Sequence, residues 1–539
     1  MRRFRWVYCH IETLRRCFPA SIRLTLDELP ETLDGTYEQT LRAIDKQKRD
    51  YAYRLFQCLV VSKRPLRVEE LGELFAIQPN AETIPAFDAF LRPENAEEFV
   101  LLACSTLVTV VNVDDQKFVQ FSHFSVREYL ISHRIAISEH VSHFHVRPRS
   151  AHALLARACL GVLLQLDDHI NWGNIQNFPL AWYAAQYWVD HAQFENVSSD
   201  IQHGIECFFD RNKPHFAAWR RLYDIEHPVF PSLNPQPYPV PLYYAALCGF
   251  HDIAKHLVDT YPQDINARGG KRVTPLHAAS DKGHLSVAML LVERGADMES
   301  RDSRNRTPLH IASYRGHAEV ASFLIDRGAD INAEEISQMT PLHLASERGH
   351  DKVVRLLLCD HGADVTRSDS LLTGRTPLYL ASERGHDDIV QLLLDNGAIA
   401  NQKHFLGMTP LHIASERGYA DIVQLLLDYG AVANHPYSLC LTPLHHASLR
   451  GHSDTVQLLL NRGAVVDPPN RRGLTPLHLA SQEGHNDVVR LLLDHGAFAN
   501  HPDKHGRTPL HLALEAGHDD TFQLLLDHGA VADHPDNPS

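Results

Sequence analysis

The sequence predicts a mainly α-helical protein in which a long solenoid of paired helices follows a helical region containing one β-hairpin. Three observations support this fold class. A Thr-Pro-Leu-His unit, or a close variant, recurs at a nearly constant period through the second part of the 539-residue chain. Each copy carries the signals that begin and end two short helices. Residues 1–240 lack this period, so they form a separate region.

The repeated unit begins at a threonine, and successive copies lie 33 residues apart except for one spacing of 36. Self-similarity at this period is typical of a solenoid, in which each unit buries its apolar face against the next. The threonines are Thr274, Thr307, Thr340, Thr376, Thr409, Thr442, Thr475 and Thr508. A degenerate earlier copy begins at Val240. We therefore predict nine repeats over residues 240–539.

The repeat that begins at Thr409 shows the local plan. Thr409 caps a first helix, the following proline occupies its first turn, and Gly418 permits the left-handed backbone that ends it. In the second helix, Ile422, Leu425 and Leu426 share one face at i, i+3, i+4 spacing and are expected to be buried. Helices this short are not stable alone, so stacking must stabilise them.

The 37 histidines raise the question of a metal site. Fifteen of them occupy two fixed positions in the repeat, one after Pro-Leu and one after the turn glycine or its equivalent. Equivalent positions on stacked helices lie roughly 8–10 Å apart, whereas zinc ligands converge within about 2.3 Å of one ion. Tyr243, Tyr379 and Tyr419 replace histidine at these positions. We predict a packing and hydrogen-bonding role, with no metal and no cofactor.

Over about residues 240–539, these units resemble ankyrin repeats. The resemblance implies a protein ligand on the concave face, bound by projecting hairpins together with the first helices. The segments between units differ from copy to copy, and tips such as Phe405, Leu406, Tyr437 and Leu439 are apolar. The predicted partner-binding residues are Arg268, Lys271, Arg304, Asn305, Glu335, Ile336, Gln338, Leu371, Leu372, His404, Phe405, Leu406, Tyr437, Leu439, Arg471, Arg472, Lys504 and His505.

The last repeat carries no evident polar cap. Its second helix contains Thr-Phe-Gln-Leu-Leu-Leu from Thr521, nearly the same as Thr-Val-Gln-Leu-Leu-Leu from Thr455 in an internal repeat. An uncovered apolar face favours fraying, a docked partner or end-to-end self-association. We therefore expect residues 508–530 to exchange hydrogen faster than residues 409–430.

Charge and cysteine usage narrow the possible functions. The net charge is −15, and residues 241–539 carry 26 Lys and Arg against 37 Asp and Glu, so nucleic acid is a poor candidate partner. Nine widely spaced cysteines favour free thiols in a reducing compartment, the cytoplasm, with the nucleus left open. No apolar run is long enough to span a bilayer. The arginine-rich start, Met1–Cys17, reads as an amphipathic helix or, alternatively, as a mitochondrial transit peptide.

Before the repeats we expect a helical segment (1–49), a winged-helix domain (50–140) and a helical connector (141–239). Leu107–Val113 and Phe118–Phe121 read as two strands around a polar turn, which makes the wing. Winged helices often bind DNA, which is one rival function. The candidate recognition helix carries Glu69, Glu70 and Glu73, the wrong charge for a DNA groove.

Four strings in this region resemble the fungal NACHT-ankyrin proteins, which are NOD-like, STAND-type signalling ATPases. They are Phe-Arg-Trp-Val from Phe4, Leu-Asp-Glu-Leu-Pro-Glu from Leu26, Arg-Pro-Leu-Arg-Val-Glu-Glu-Leu from Arg64, and Phe-Ser-His-Phe-Ser-Val-Arg-Glu-Tyr-Leu from Phe121. In that family the histidine matching His123 touches a nucleotide phosphate. A phosphate-binding G-x-x-x-x-G-K-[ST] loop is absent from this sequence. A truncated gene model, a fragment and a naturally short paralogue all remain open.

Taken together, the sequence predicts a non-enzymatic interaction and sensing protein whose repeats bind a protein ligand. The resemblance implies a role in fungal NOD-like signalling. One alternative is the regulatory part of a nucleotide-switch ATPase whose phosphate-binding half is supplied elsewhere, in which case His123 would contact nucleotide. Another is a winged-helix DNA-binding regulator.

Overall fold

The computed structural model describes residues 32–77, 92–93, 95–104, 106–167, 175–223, 240–370, 373–437 and 439–531. Within these ranges the chain is mostly helical, as the sequence predicts. The chain divides into two compact units, residues 1–262 and 263–539. The expected helix near Phe4–Arg16 lies outside the described residues.

The first unit begins with helices, a short sheet and further helices. Its elements up to the connector are α1 (Leu33–Arg42), α2 (Arg49–Val61), β1 (Leu66–Arg67), α3 (Val68–Phe75), α4 (Ala96–Cys104), β2 (Val108–Val113), β3 (Gln116–Phe121), α5 (Phe124–Ile131) and α6 (His133–Ala136). Strand β3 lies between β1 and β2, and both pairs are antiparallel. Asp114 and Asp115 both have positive φ, as a tight two-residue hairpin turn requires. The predicted hairpin is therefore confirmed.

The connector is helical and its core is aromatic. Its helices are α7 (Pro148–Leu163), α8 (Ala181–Gln193), α9 (Val197–Asp200), α10 (Gln202–Phe209) and α11 (His215–Leu222). The fully buried Trp188 lies between Phe208 and Trp219, with ring centroids 5.2 and 6.1 Å away. The Trp219 indole donates a hydrogen bond to the Ala185 carbonyl, so its polar atom is satisfied in this core.

The first, degenerate repeat packs into this same aromatic core. It consists of α12 (Pro241–Leu247) and α13 (His251–Thr260), both in the first unit. Tyr244 packs against Trp219, and Phe250 packs against Trp188. The Gln193 amide donates to the Cys248 carbonyl at the end of α12. Aromatic side chains of the connector thus cover the apolar face of the first helix pair.

The second unit consists of eight helix pairs. Their first helices are Pro275–Lys282, Pro308–Arg315, Pro341–Arg348, Pro377–Arg384, Pro410–Arg417, Pro443–Arg450, Pro476–Gln482 and Pro509–Ala516. The second helices are Leu285–Glu293, Ala318–Asp326, Asp351–Arg355, Asp387–Asp395, Ala420–Asp428, Ser453–Asn461, Asn486–Asp494 and Asp519–Asp527. After Asp351–Arg355 comes a π-helical turn, Leu356–Asp360, in the repeat whose spacing is 36 residues. A π turn accommodates an inserted residue without ending the helix.

The predicted local plan of each repeat is confirmed with one exception. Thr409 caps its helix in extended backbone, and Gly418 ends it at φ 76°. Ile422 and Leu426 are buried, as expected. Leu425 is only half-buried, so our prediction for that residue was wrong. The face of the second helix that packs against neighbouring helices runs through Ile422, Val423 and Leu426 instead.

Candidate partner-binding surface

Four of the hairpins between repeats are held by a buried carboxylate at the base, from Asp302, Glu335, Asp369 or Asp503. One Asp302 carboxylate oxygen accepts the backbone N–H groups of Arg304 and Arg306, and the other pairs with the Arg306 guanidinium at 2.7 Å. Burial would raise the pKa of Asp302, but the hydrogen bonds from Arg306 hold it below its ordinary value. The pairs Asp369–Arg375 and Asp503–Arg507 repeat the arrangement.

Backbone hydrogen bonds between described residues join six pairs of neighbouring hairpins. The Ile336 N–H donates to the Arg304 carbonyl at 3.0 Å, and the Phe405 N–H donates to the Thr373 carbonyl at 2.9 Å. The same bond recurs from Ser303 to Lys271, Ser370 to Ser337, Arg471 to Leu439 and Lys504 to Arg472. The hairpins therefore form a ladder with fixed spacing, which preorganises whatever their tips present to solvent.

Most of the predicted binding residues lie in solvent at these tips. The exposed ones are Arg268, Lys271, Arg304, Asn305, Ile336, Gln338, Phe405, Leu406, Leu439, Arg471, Arg472, Lys504 and His505. Four of them are apolar and strongly exposed: Ile336 (69%), Phe405 (66%), Leu406 (52%) and Leu439 (52%). Leu371 and Leu372 lie outside the described residues.

Three of the predicted binding residues are not free tips. Glu335 is buried and its carboxylate accepts the Ser337 N–H, so it holds its hairpin as Asp302 does. His404 and Tyr437 are half-buried. The Tyr437 ring stacks on His446, with centroids 5.4 Å apart. The sequence places these residues in the right segment but does not show which way their side chains turn.

The histidines after Pro-Leu join the cap of their own helix to the next hairpin. In His310, Nδ1 accepts the Thr307 backbone N–H and Nε2 donates to the Met339 carbonyl, 29 residues later. His277, His445 and His478 make the same pair of contacts. Because Nδ1 must accept and Nε2 must donate, each ring is a neutral tautomer.

Burial keeps these rings neutral at pH values well below the ordinary pKa of histidine. Desolvation lowers the pKa of His310 to about 4, and the hydrogen bond to the Met339 carbonyl only partly opposes it. The pKa is likewise lowered to about 4 in His343, His445 and His478 and to about 3 in His412. Within the described ranges, no three His, Cys, Asp or Glu side chains come together as a metal site requires.

The second set of histidines joins each repeat to the one before it. His317 Nε2 donates to the Asp281 carbonyl at 3.0 Å, and His452 Nε2 donates to the Glu416 carbonyl at 2.9 Å. The His452 ring also lies over Gly418, where an added Cβ would come within 2.6 Å of it. Both sets of rings therefore stabilise the stack, which is the structural role predicted for them.

In the first unit, two of the three candidate glutamates are buried instead of facing a groove. Glu70 is fully buried and binds the guanidinium groups of Arg64 and Arg67. Glu73 is also fully buried and accepts the Leu180 N–H, and desolvation raises its pKa to about 7. Only Glu69 is exposed. The interpretation of α3 as an acidic surface was therefore wrong, because Glu70 pairs with two neighbouring arginines and Glu73 binds the backbone of the connector.

His123 begins α5 as its cap. Its Nδ1 accepts the Ser125 backbone N–H, and the Ser125 hydroxyl bonds the Tyr37 phenol at 2.7 Å. This ties α5 to α1. The contacts give His123 a structural role in the described chain.

The sequence analysis missed a second exposed apolar feature in the repeats. It comprises Ile399, Val432, Val465, Phe498 and Val531, one residue from each of the last five repeats, at the position after Gly-Ala. The signal was available, since the same position holds Asp297, Asp330 and Asp364 in earlier repeats.

Among the described helices, none combines the length and apolarity that crossing a bilayer requires.

The repeats match known families along most of their length. Residues 295–369, 367–437, 402–470 and 444–536 match the family described as Ankyrin repeats (3 copies). Residues 257–312 match a second family, described as Ankyrin repeats (many copies).

Individual relatives match smaller parts. The chain is 29% identical to the azaphilone pigments biosynthesis cluster protein L of Monascus ruber over 296 residues, 51% of this chain and 62% of that protein. It is 43% identical over 58 residues to alpha-latrocrustotoxin-Lt1a of Latrodectus tredecimguttatus, 11% of this chain and 4% of the toxin. It thus spans about three-fifths of the Monascus relative and a small part of the toxin. Over residues 257–536, the chain belongs to the ankyrin-repeat proteins.

Proposed function

We propose that this chain is a non-enzymatic interaction module that binds a protein ligand through the hairpin tips of its ankyrin array. The observation that carries the proposal is the set of four exposed apolar tips, Ile336, Phe405, Leu406 and Leu439, on a hydrogen-bonded ladder. Exposed apolar side chains held in fixed positions are what a protein interface uses as anchors. Ankyrin repeats imply protein partners.

We extend the proposal to the first unit as a regulatory module. Three helices and a sheet ordered β1-β3-β2 support the predicted winged helix within residues 50–140. The helix directly before the wing is α4, not α3, and it carries Glu97 and Glu98 in its first turn. This charge argues against a DNA groove. The NACHT-ankyrin resemblance supports a place in fungal NOD-like signalling in the cytoplasm.

The test of partner binding compares the full chain with a double variant at two tips. Phe405→Ser with Leu406→Ser removes two of the four apolar tips and changes no buried residue. We expect affinity capture followed by a binding measurement to show at least about tenfold weaker partner binding. Glu319→Gln, at an exposed position on a second helix away from the tips, serves as a control for unrelated surface changes. Unchanged affinity in the double variant would refute the proposal.

A nucleotide-binding assay on the full chain separates this proposal from the nucleotide-switch alternative. We expect no ATP binding, because the described contacts of His123 serve α5. ATP binding that His123→Ala abolishes would favour the alternative. Sedimentation of the same sample tests the predicted end-to-end self-association.

A further inference from the structure

A second candidate surface runs along the ends of the second helices. We call the residues Ile399, Val432, Val465, Phe498 and Val531 the apolar row. Each follows a Gly-Ala pair after a second helix and is 50–56% exposed. They do not anchor the repeat to its neighbours through buried side chains, as Leu426 does. Packing within the array therefore does not explain why five apolar residues lie in solvent at one repeated position, and a binding partner would.

Aspartate at this position makes a hydrogen bond that the apolar row lacks. In earlier repeats, the carboxylates of Asp297, Asp330 and Asp364 accept the backbone N–H two residues later, at 2.9–3.0 Å. Aliphatic and phenyl side chains cannot accept this bond. The last five repeats thus give up a local turn contact at a solvent-exposed position, which local folding alone does not favour.

The backbone of the apolar row is held rigidly. The Asn401 side chain accepts the Val432 N–H at 2.9 Å and donates to the Gly430 carbonyl at 2.8 Å. Asn434 does the same for the repeat of Val465, and Asn500 for that of Val531. The backbones of Val432, Val465 and Val531 are therefore fixed relative to the preceding repeat, so little conformational entropy is lost there when a ligand binds.

The spacing of the row suits a helix. Packed second helices stand about 8–10 Å apart, so the row presents one apolar side chain at about that interval. An α-helix advances about 10.5 Å in seven residues, which places one side chain per heptad over each row residue. Successive side chains of a β-strand point to opposite faces. A residue three positions further along, about 10 Å away, therefore points away from the row.

The acidic residues beside the row indicate the charge of its partner. Exposed aspartates lie four residues before four of its members: Asp395, Asp428, Asp494 and Asp527. The fifth has Asn461 there. Arg462, beside Asn461, pairs with Asp428 at 2.7 Å, and among the described contacts the other three aspartates form no ion pair. A second copy of this chain would bring a second set of the same acids into one interface, whereas a basic flank on a ligand would neutralise them. Charge therefore favours a basic partner over self-association.

We propose that the apolar row binds an amphipathic helix of another protein, with an apolar heptad seam and Lys or Arg along its flank. This surface is distinct from the hairpin tips and does not depend on them.

Labelled peptides test this directly with the full chain. The probe is a 28-residue designed helix with Leu at heptad seam positions and Lys on the flanks. One control peptide replaces Lys with Glu, and another scrambles the sequence so that charge stays and the seam is lost. The key variant is Val432→Asp, Val465→Asp and Phe498→Asp, which introduces the residue that other repeats carry and so should fold.

We expect the Lys peptide to bind at least about tenfold more tightly than either control peptide, and the triple variant to weaken it at least about tenfold. The variant adds negative charge, so a purely electrostatic peptide would bind it more tightly. The Phe405→Ser, Leu406→Ser variant should bind the Lys peptide unchanged, which separates this surface from the tips. Equal binding of all peptides, equal binding to the triple variant, or a wild-type dimer that the triple variant abolishes would overturn the proposal.

Discussion

The two units are stabilised in different ways. In the second unit, the same few contacts recur in each repeat, such as the histidine bridges from His310 and His445 to the next hairpin. In the first unit, each contact occurs once, as with Glu70 between two arginines or Trp188 among aromatic rings. Repeated contacts distribute stability over many equivalent interfaces, whereas single contacts concentrate it. The two units should therefore fail under different perturbations.

Mild acid should affect the repeats most strongly, because five described repeat histidines have a pKa of about 3 or 4, against His152 and His191 in the first unit. Burial lowers the folded-state pKa to about 4 in His310 and His343, whereas histidine in the unfolded chain has its ordinary pKa of about 6.5. Below pH 6.5 the unfolded chain therefore binds more protons than the folded chain. Stability is fully present above pH 6.5 and falls as the pH approaches 4. At pH 5 each such histidine costs about 2 kcal/mol, so several together rival the stability of a domain.

All five tryptophans lie before residue 240, which lets one sample report both units. Tryptophan fluorescence follows the first unit alone, whereas far-UV circular dichroism follows the helices of both units. A change in dichroism without a matching change in fluorescence therefore reports the repeats. We expect the urea midpoint from dichroism to fall steeply between pH 7 and 5, with a smaller change in fluorescence. A dichroism midpoint that stays constant over this range would mean that the rings are not buried neutral in solution.

Glu70→Gln should act on the first unit alone. It leaves Arg64 and Arg67, both partly buried, without their carboxylate, and we expect a loss of about 3 kcal/mol. Glu69→Gln, one position away and exposed, is the matched control and should change stability by less than about 0.5 kcal/mol. Urea unfolding followed by tryptophan fluorescence measures both. Equal effects would contradict the single-contact account.

Leu426→Ala should act on the repeats alone. The side chain is fully buried, so its truncation should cost about 2–5 kcal/mol. The half-buried neighbour tests the corrected register, because Leu425→Ala should cost clearly less. Dichroism-detected urea unfolding of the two variants distinguishes them. A larger loss for Leu425 would restore the original sequence prediction.

Features that recur in every repeat were predicted from the sequence, whereas contacts that occur once in the first unit were not. Thr409 and Gly418 were predicted correctly because capping depends on local backbone chemistry repeated in every copy. Glu73 was misread because its partner, the Leu180 N–H, lies 107 residues away in the sequence. Glu70 was misread although Arg64 is only six residues away, because the sequence does not show that this pair is buried. The predicted burial of Leu425 was wrong for a different reason. Helical periodicity shows which face of a helix is apolar, but it does not show which edge of that face a neighbouring helix covers. The repeated pattern therefore predicts the helices and their caps, whereas contacts that occur once in the fold cannot be predicted from it.

The smallest expected effect concerns the apolar row. Val432→Asp supplies the turn hydrogen bond that Asp330 makes in its own repeat, so stability should rise by about 0.5 kcal/mol. Val432→Ser, with a weaker acceptor, is the control. Urea unfolding by dichroism measures both. A clear loss of stability in Val432→Asp would show that the row contributes to packing after all.

The central claim is that the ankyrin array recognises its partner through the hairpin tips. Hydrogen–deuterium exchange on the full chain, alone and with the captured partner, tests it most directly. We expect new protection at residues 403–407 and 439–441, where Phe405, Leu406 and Leu439 stand in solvent, and little change in the first unit. Protection confined to residues 32–223, with unchanged exchange at the tips, would contradict the account.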